Sequence, residues 1–450
     1  MRHLIEYHPE LCLHLHEQTE STDRPLWLRP GNTRTEVFCA FPAKYIQIEN
    51  QSVKQESTAS LITSHPCPAK FWAALPAILA ELPHFPGLDD LPFRGGLAGF
   101  IGYDSTATPE RRLPFPDAYL GLYPHFICLD HAEKTATNVS LPGYKESQAT
   151  WDSLVANVRS ITKAKRSTGR FSLDAGFQPL TSPNRYRKDF EQIQRYLLEG
   201  DSYQVNYAQA FRARCHGPTS PAMKQLLSIS NATHAAWLTL PEGEILSLSP
   251  ELFIQVENRR ITTKPIKGTA PRASDPAEDE RLRQNLQDSR KNQAENLMIV
   301  DLLRHDISRH AQTGSVKVEK LFEVESLPQV HHLVSTITAN LKFESQSIDL
   351  IRDCFPGGSI TGAPKKRAME IIAELEPTPR SVYCGSIGFI NADGDAYMNI
   401  AIRTLLRLGD EIYTWAGGGI VADSDCESEY QECFDKIGAL MRALEGMGKS

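Results

Sequence analysis

Ile245-Leu246-Ser247-Leu248-Ser249-Pro250-Glu251-Leu252-Phe253-Ile254-Gln255-Val256 reads as two short strand-like apolar runs parted by a proline and a carboxylate. A long helical pattern follows from about Asp279 to Arg304, with Leu282, Leu286, Leu297, Val300 and Leu303 expected on its buried side. Before the strands, Tyr186 to Glu199 carries Phe190, Ile193 and Leu197 at helical spacing and meets Gly200 as a stop. After them, another helix is expected to begin near Gly362, with Pro364 in its first turn and Met369, Ile372 and Leu375 in its buried stripe. Strands and helices mixed in this way make the region α+β.

Between the strands and the long helix lies Pro265-Ile266-Lys267-Gly268-Thr269-Ala270-Pro271-Arg272. Proline fixes φ and glycine permits close approach, so Lys267 is more constrained than a lysine on an open helix. A constrained amine can act as a nucleophile. The plainer alternative is a solvated basic strand end, since Arg259, Arg260, Lys264 and Arg272 are near in sequence.

The 450 residues leave room for two or three cores of about 150 residues each, and 41% hydrophobic with 23% charged residues is ordinary for a globular chain. A net charge of −7 with no concentrated basic stripe argues against a nucleic-acid surface. No apolar run approaches a membrane span, and Met1 to His8 lacks the apolar core of a signal peptide, so a cytoplasmic protein is expected. The nine cysteines are scattered and form no CxxC pair, which signals neither a disulfide framework nor a zinc site. Residues 1 to about 160 read as β-rich, with one helical pattern from Phe71, and residues 162–185 read as a connection.

The last helix, about Ser428 to Leu444, places Glu429, Glu432 and Lys436 along one stripe. Ala416-Gly417-Gly418-Gly419-Ile420-Val421-Ala422 precedes it and is expected to lie between a strand and this helix, its backbone N–H groups suited to a carboxylate. Glu295 points along a partly apolar side of the long helix. If it met Glu429 and Glu432, their repulsion would call for a cation, and an all-oxygen set suits Mg²⁺ better than zinc. A solvated charged face is the alternative for the stripe, and a mere turn for the glycines. Phe355-Pro356-Gly357-Gly358-Ser359-Ile360-Thr361-Gly362-Ala363-Pro364-Lys365 has the glycine spacing of a phosphate loop but lacks the Lys-Ser/Thr step after Gly362. Gly358-Ser359 is likewise not framed as the nucleophile elbow of a serine hydrolase.

Taken together, these segments resemble the chorismate-utilising enzymes, the family of the anthranilate, aminodeoxychorismate, isochorismate and salicylate synthases. The motifs that carry the resemblance are Gly200 to Asn206, Ser249-Pro250-Glu251, Pro265 to Arg272, Ala294 to Leu302, Phe355 to Lys365 and Ala416 to Lys436. Phe93 to Asp104 extends it toward the N-terminus. The resemblance implies an anthranilate-synthase-like fold, two β-sheets packed as a sandwich with helices outside. It divides the chain into an N-terminal β-rich region, 1–180, and a chorismate-binding region, 185–445.

Within the family, lysine at position 267 resembles the aminodeoxychorismate synthase branch, where the anthranilate and isochorismate branches have alanine. Gln204 stands where the isochorismate and salicylate branches place the lysine that activates water. The implied reaction is that of component I: chorismate plus ammonia gives 4-amino-4-deoxychorismate, on the way to p-aminobenzoate and folate. The resemblance gives Glu251 the role of acid toward the C4 hydroxyl and Lys267 that of nucleophile at C2. It makes Glu295 and Glu432 direct Mg²⁺ ligands, with Glu429 acting through water. Thr269, His332, Thr361, Tyr383, Arg403, Gly418, Gly419 and Lys436 match positions around the substrate. Lys267 must be neutral to attack, and Lys264 together with desolvation is expected to favour that form.

Two departures stand out. The family's Lys-Asp-Arg reads Lys291-Asn292-Gln293 here, and its Arg-Asn-Asp-x-Gly-Arg reads Arg304-His305-Asp306-Ile307-Ser308-Arg309. The first removes an outer carboxylate beside Glu295. No Gly-x-Cys-x-Gly nucleophile occurs, so a separate glutamine amidotransferase subunit is expected to supply ammonia. No Leu-Leu-Glu-Ser feedback element is visible, and no allosteric control is expected. The alternatives are anthranilate synthase component I and a non-catalytic, chorismate-binding regulatory homologue.

Overall fold

The computed structural model describes residues 2–57, 60–65, 69–106, 112–157, 169–230 and 232–447. Two large antiparallel sheets, of 13 and 12 strands, form the body of the protein, with helices around them. They pack face to face: Phe93 lies 4.9 Å from Phe126 of the first sheet and 5.3 Å from Phe389 of the second, ring centroid to ring centroid. Asn399 Nδ2 of the second sheet donates to the His234 carbonyl of the first at 2.8 Å. The fold is thus the α+β sandwich that the sequence implies.

Each sheet takes strands from both sides of residues 180–185. In the first, Leu26–Leu28 pairs with His234–Leu240, Trp27 opposite Trp237. In the second, Gly96–Ile101 pairs with Ser386–Asn391, Gly99 opposite Gly388. Large fully buried side chains fill the core, among them Trp27, Phe38, Phe100, Tyr119 and Trp415. Residues 162–168 of the expected connection lie outside the described residues, and the part that follows adds two short strands, Ser172–Leu173 and Gln178–Pro179, to the edge of Gln204–His216.

The helix expected from Tyr186 runs from Pro183 to Leu198, capped by Ser182, whose side chain accepts from the Arg185 N–H. The long helix expected over 279–304 is instead two, Pro276–Gln287 and Arg290–Ser308. Ser289 is extended and its hydroxyl accepts from the Asn292 N–H at 3.3 Å, so it starts a new helix and resets the phase of the apolar stripe. Leu297 consequently faces outward, 46% exposed, while Asn296, Ile299, Val300 and Leu303 turn inward. The next helix starts at Lys365 rather than Gly362. Gly362 and Ala363 pair with Val205 and Gln204, an approach so close that a Cβ on Gly362 would lie 2.1 Å from the Gln204 carbonyl oxygen.

The glycine run is also placed differently from expectation. Gly417, Gly418 and Gly419 are inside the strand Glu411–Ile420 and pair with Ala208, Tyr207 and Asn206, because the ladder to Gln204–His216 continues to Ile420. The last helix runs from Cys426 to Gly446, capped by Asp425. In the N-terminal half, Ala69–Leu79 is the helix expected from Phe71, and Leu11–Glu17 and Lys145–Ala156 are further helices. The last of these buries only Ser147 and Trp151, too thin a stripe to register as a period.

Candidate active site

Glu251 occupies the turn between the strands Gly243–Ser249 and Leu252–Glu257. Ser249 Oγ donates to the Ile400 carbonyl at 2.6 Å and accepts from the Glu251 N–H at 3.1 Å, which fixes the turn that Pro250 opens. The Glu251 carboxyl is buried and accepts from Ser359 Oγ at 2.7 Å. Burial pushes its pKa up to about 7, against the opposing pull of Ser359, Lys267, the Ile266 N–H and Lys436. Near neutral pH a large share of this group therefore still carries a proton, as a general acid requires.

Lys267 lies on the strand Ile266–Pro271 and its ammonium nitrogen donates to the Ser359 carbonyl at 3.3 Å. The residue that bonds the acid thus also bonds the amine. Desolvation lowers the Lys267 pKa despite the opposing carboxylates Glu295, Glu251 and Glu432, and Lys436 adds to the lowering. Lys264, expected to share that task, points elsewhere and forms an ion pair with Glu325 at 2.6 Å. The reason is register: Lys264 ends a different strand, Arg260–Lys264, on the far side of Pro265. Gly268, with φ +87°, turns the strand directly after the lysine, and a Cβ there would be 2.9 Å from the Asn292 amide.

Thr269 is opposite His332 in the ladder, and its Oγ1 is 2.9 Å from His332 Nδ1. Burial and the neighbouring Arg403 lower the His332 pKa to about 4, so the ring is neutral, and its buried Nε2 has no hydrogen-bond partner among the described residues. Arg403 has a left-handed backbone, φ +51°, and desolvation lowers its pKa, with no carboxylate acting on it among the described residues. A desolvated guanidinium beside a neutral histidine suits an anionic ligand.

Gly418 packs against the final helix: a Cβ there would be 2.7 Å from Glu429 Oε2 and 3.5 Å from Glu432 Oε1. Gly419 faces Gln204, whose amide is fully buried with neither its oxygen nor its nitrogen hydrogen-bonded among the described residues. Lys436 Nζ donates to the Gly417 carbonyl at 2.8 Å and is 2.5 Å from Glu432. Glu295 and Glu429, on separate helices, share one cation, since Lys291 Nζ is 4.0 Å from a carboxylate oxygen of each. Burial raises the Glu429 pKa, with Ser424, Lys291 and Lys436 opposing and Glu432 reinforcing the rise.

Among the described residues no three acidic, histidine or cysteine side chains stand together as a closed metal cluster. Glu295 and Glu429 meet through Lys291, and Glu429 and Glu432 both approach Gly418, so the three offer an all-oxygen donor set, the chemistry of a Mg²⁺ site. The departure at 292–293 has a local explanation: Asn292 packs on Gly268, and Gln293 Nε2 donates to the Gln287 carbonyl at 2.6 Å across the helix break.

Two of the expected residues take other contacts. The Thr361 hydroxyl is spent on the Gly357 and Gly358 carbonyls, at 3.0 and 3.3 Å, and so braces its own loop. Tyr383 stacks on Trp415, ring centroids 6.2 Å apart. Conversely, the sequence reading passed over Ser359, noticed only as a failed serine-hydrolase motif, and Arg380, a lone arginine that no spacing singled out.

Residues 23–442 match the chorismate binding enzyme family. The chain belongs to that family. It is 47% identical over 375 residues to aminodeoxychorismate synthase component 1 of Salmonella typhimurium, covering 82% of this chain and 81% of that one. Component 1 of the same name from Escherichia coli is 46% identical, with 79% and 78% covered. Anthranilate synthase component 1 of Streptomyces coelicolor is 34% identical, with 80% and 74% covered. Among solved structures, anthranilate synthase component I from Streptococcus pneumoniae superposes with a TM-score of 0.80 at 30% identity, covering 91% of this chain and 92% of that one. The menaquinone-specific isochorismate synthase of Escherichia coli shares the fold, with a TM-score of 0.76 at 19% identity over 99% and 94% of the two chains.

Proposed function

We propose that this chorismate-binding enzyme is component 1 of an aminodeoxychorismate synthase, joining chorismate and ammonia to give 4-amino-4-deoxychorismate, which leads to p-aminobenzoate and folate. The observation that carries the reading is the acid–amine pair: Glu251, its pKa raised to about 7, and Lys267, shifted toward its neutral form, bond to the same residue. The identity to relatives of that name points the same way.

Hydroxide leaves carbon poorly, and ammonia alone would have to displace it from a dianion. In the proposed sequence the neutral Lys267 amine attacks C2, the ring π electrons shift, and the C4–O bond breaks as Glu251 gives its proton to the departing oxygen, releasing water. Ammonia then adds at C4, the π electrons shift back, and the C2–Nζ bond breaks to return Lys267 as a neutral amine. The product carries the ammonium, and solvent reprotonates Glu251. Two displacements place the nitrogen at C4, where the hydroxyl stood. Arg403 and neutral His332 fit the enolpyruvyl carboxylate.

Glu295, Glu429 and Glu432 would hold Mg²⁺, which would neutralise the ring carboxylate. Ammonia would come from a separate glutamine amidotransferase, in keeping with relatives that are each called component 1. We place the chemistry in residues 185–445, the region that contains every residue named for it, and give 1–180 the supporting strands. No helix among the described residues is long and apolar enough to cross a membrane, and we place the enzyme in the cytoplasm.

The test is incubation with chorismate, Mg²⁺ and an ammonium salt. A product that yields p-aminobenzoate only after a lyase is added supports the reading, and direct anthranilate fluorescence refutes it. Chorismate binding without turnover would indicate a regulatory homologue. In the same assay Lys267→Ala is expected to lose at least a hundredfold in kcat, and an unchanged rate would remove the covalent step.

A further inference from the structure

We propose that Ser359 is a positioning residue that holds the acid and the amine in one geometry, on a loop locked from below by the buried Arg380–Glu376 pair. The inference rests on the roles just given to Glu251 and Lys267.

Ser359 is buried in the short turn Gly358–Ile360 and uses two different groups for the two partners. Its hydroxyl donates to Glu251 Oε1 at 2.7 Å, and its carbonyl accepts from Lys267 Nζ at 3.3 Å. A shift of this one residue would therefore move acid and amine together. The turn is held accordingly. Arg380, 1% exposed, donates to the Ile360 carbonyl at 2.8 Å and to the Asn206 carbonyl at 2.6 Å. Its charge is matched by Glu376, which in turn accepts from the Ala208 N–H at 2.8 Å. On the other side, a Cβ on Gly358 would lie 2.6 Å from Leu302, so the turn is pressed against the helix that also carries Glu295.

A hydroxyl that donates to a carboxyl group stabilises its ionised form, so Ser359 restrains the rise in pKa that burial gives Glu251. The other charged or titratable groups acting on Glu251 are Lys267 and Lys436, with Cys384 buried nearby. Removing the hydroxyl leaves these in place and takes away one donor.

The experiment compares Ser359→Ala, Ser359→Thr, Glu251→Gln and the double variant Ser359→Ala/Glu251→Gln in the ammonia-dependent reaction across pH. Ser359→Ala is expected to lower kcat about tenfold with KM for chorismate within about twofold. It should also move the limb of the pH profile governed by Glu251 upward by about one unit. Ser359→Thr, which keeps the hydroxyl, should restore the wild-type limb. In the Glu251→Gln background the serine change should cost little further, because no acid is left for the hydroxyl to position.

Additive losses in the double variant, or an unmoved limb with a thermal midpoint lowered in proportion to activity, would show a merely structural serine and overturn the inference. A Glu251→Gln enzyme as active as the wild type would instead remove the proposed function and leave the Ser359 contact without a role. If Ser359→Ala does not fold, the limb and rate of Ser359→Cys, which keeps shape with a weaker donor, decide the matter: unchanged values overturn the inference.

Discussion

Arg380→Met should be among the most damaging single changes outside the proposed catalytic pair. The side chains of Arg380 and Glu376 are 1% and 6% exposed, and two hydrogen bonds join them at 2.9 and 2.7 Å. Methionine keeps much of the volume but leaves the Glu376 carboxylate with only the Ala208 N–H, and leaves the Ile360 and Asn206 carbonyls without their donor. Breaking one side of a buried ion pair costs about 3–5 kcal/mol, most of it the stranded charge. Burial already pushes the Glu376 pKa above its ordinary value while Arg380 pulls it down. Without the arginine it rises further, so folding takes up a proton and the deficit should shrink as pH falls. The assay is urea unfolding at two pH values, followed by tryptophan fluorescence, since Trp415 Nε1 donates to the Pro379 carbonyl at 3.1 Å, next to the lesion. Arg380→Met/Glu376→Gln removes the stranded charge and should regain at least half the loss. A single-variant cost below about 1 kcal/mol, within reach of an ordinary substitution, or a double variant no better than the single, would refute this account of the loop.

Two further outcomes follow from the site. With Glu251 as the proposed acid, its pKa pushed up to about 7, the limb it governs should show activity falling as pH rises through about 7, and Glu251→Gln should remove that limb; a limb that persists in the variant belongs to another group. Lys291→Met takes away the ammonium shared by Glu295 and Glu429, so Mg²⁺ titrated by calorimetry without substrate should bind several-fold more tightly; equal or weaker binding would mean that Lys291 does not compete for those oxygens.

Much of this protein can be read from its linear order. Pro265 and Gly268 frame Lys267 with restrictions that belong to the residues themselves, and Pro250 opens the turn that carries Glu251. Strand runs, the stripe on the last helix and the ordered motifs are equally local, which is why the α+β class and the family were visible in advance. Errors came where a local signal was ambiguous. Ser289 looked like one more residue of a long helix, and only its extended backbone and cap to Asn292 split that helix and turned Leu297 outward. The glycines at 417–419 looked like a loop because glycine is indifferent to strand or turn, and the partner strand 204–216 decided between them.

What the sequence by itself determined is therefore the chemical inventory: a constrained lysine, a carboxyl beside a proline, acids at helical spacing and an arginine for an anion. Tertiary structure alone decided which of these act on one another. Ser359 is far along the chain from both Glu251 and Lys267, yet it bonds to both. Lys291 lies between Glu295 and Glu429, which stand on separate helices. Lys436, not the sequence neighbour Lys264, bears on the Lys267 amine. The physical reason is that pKa shifts and charge pairing depend on burial and on distances of a few ångströms through space, which spacing along the chain does not encode.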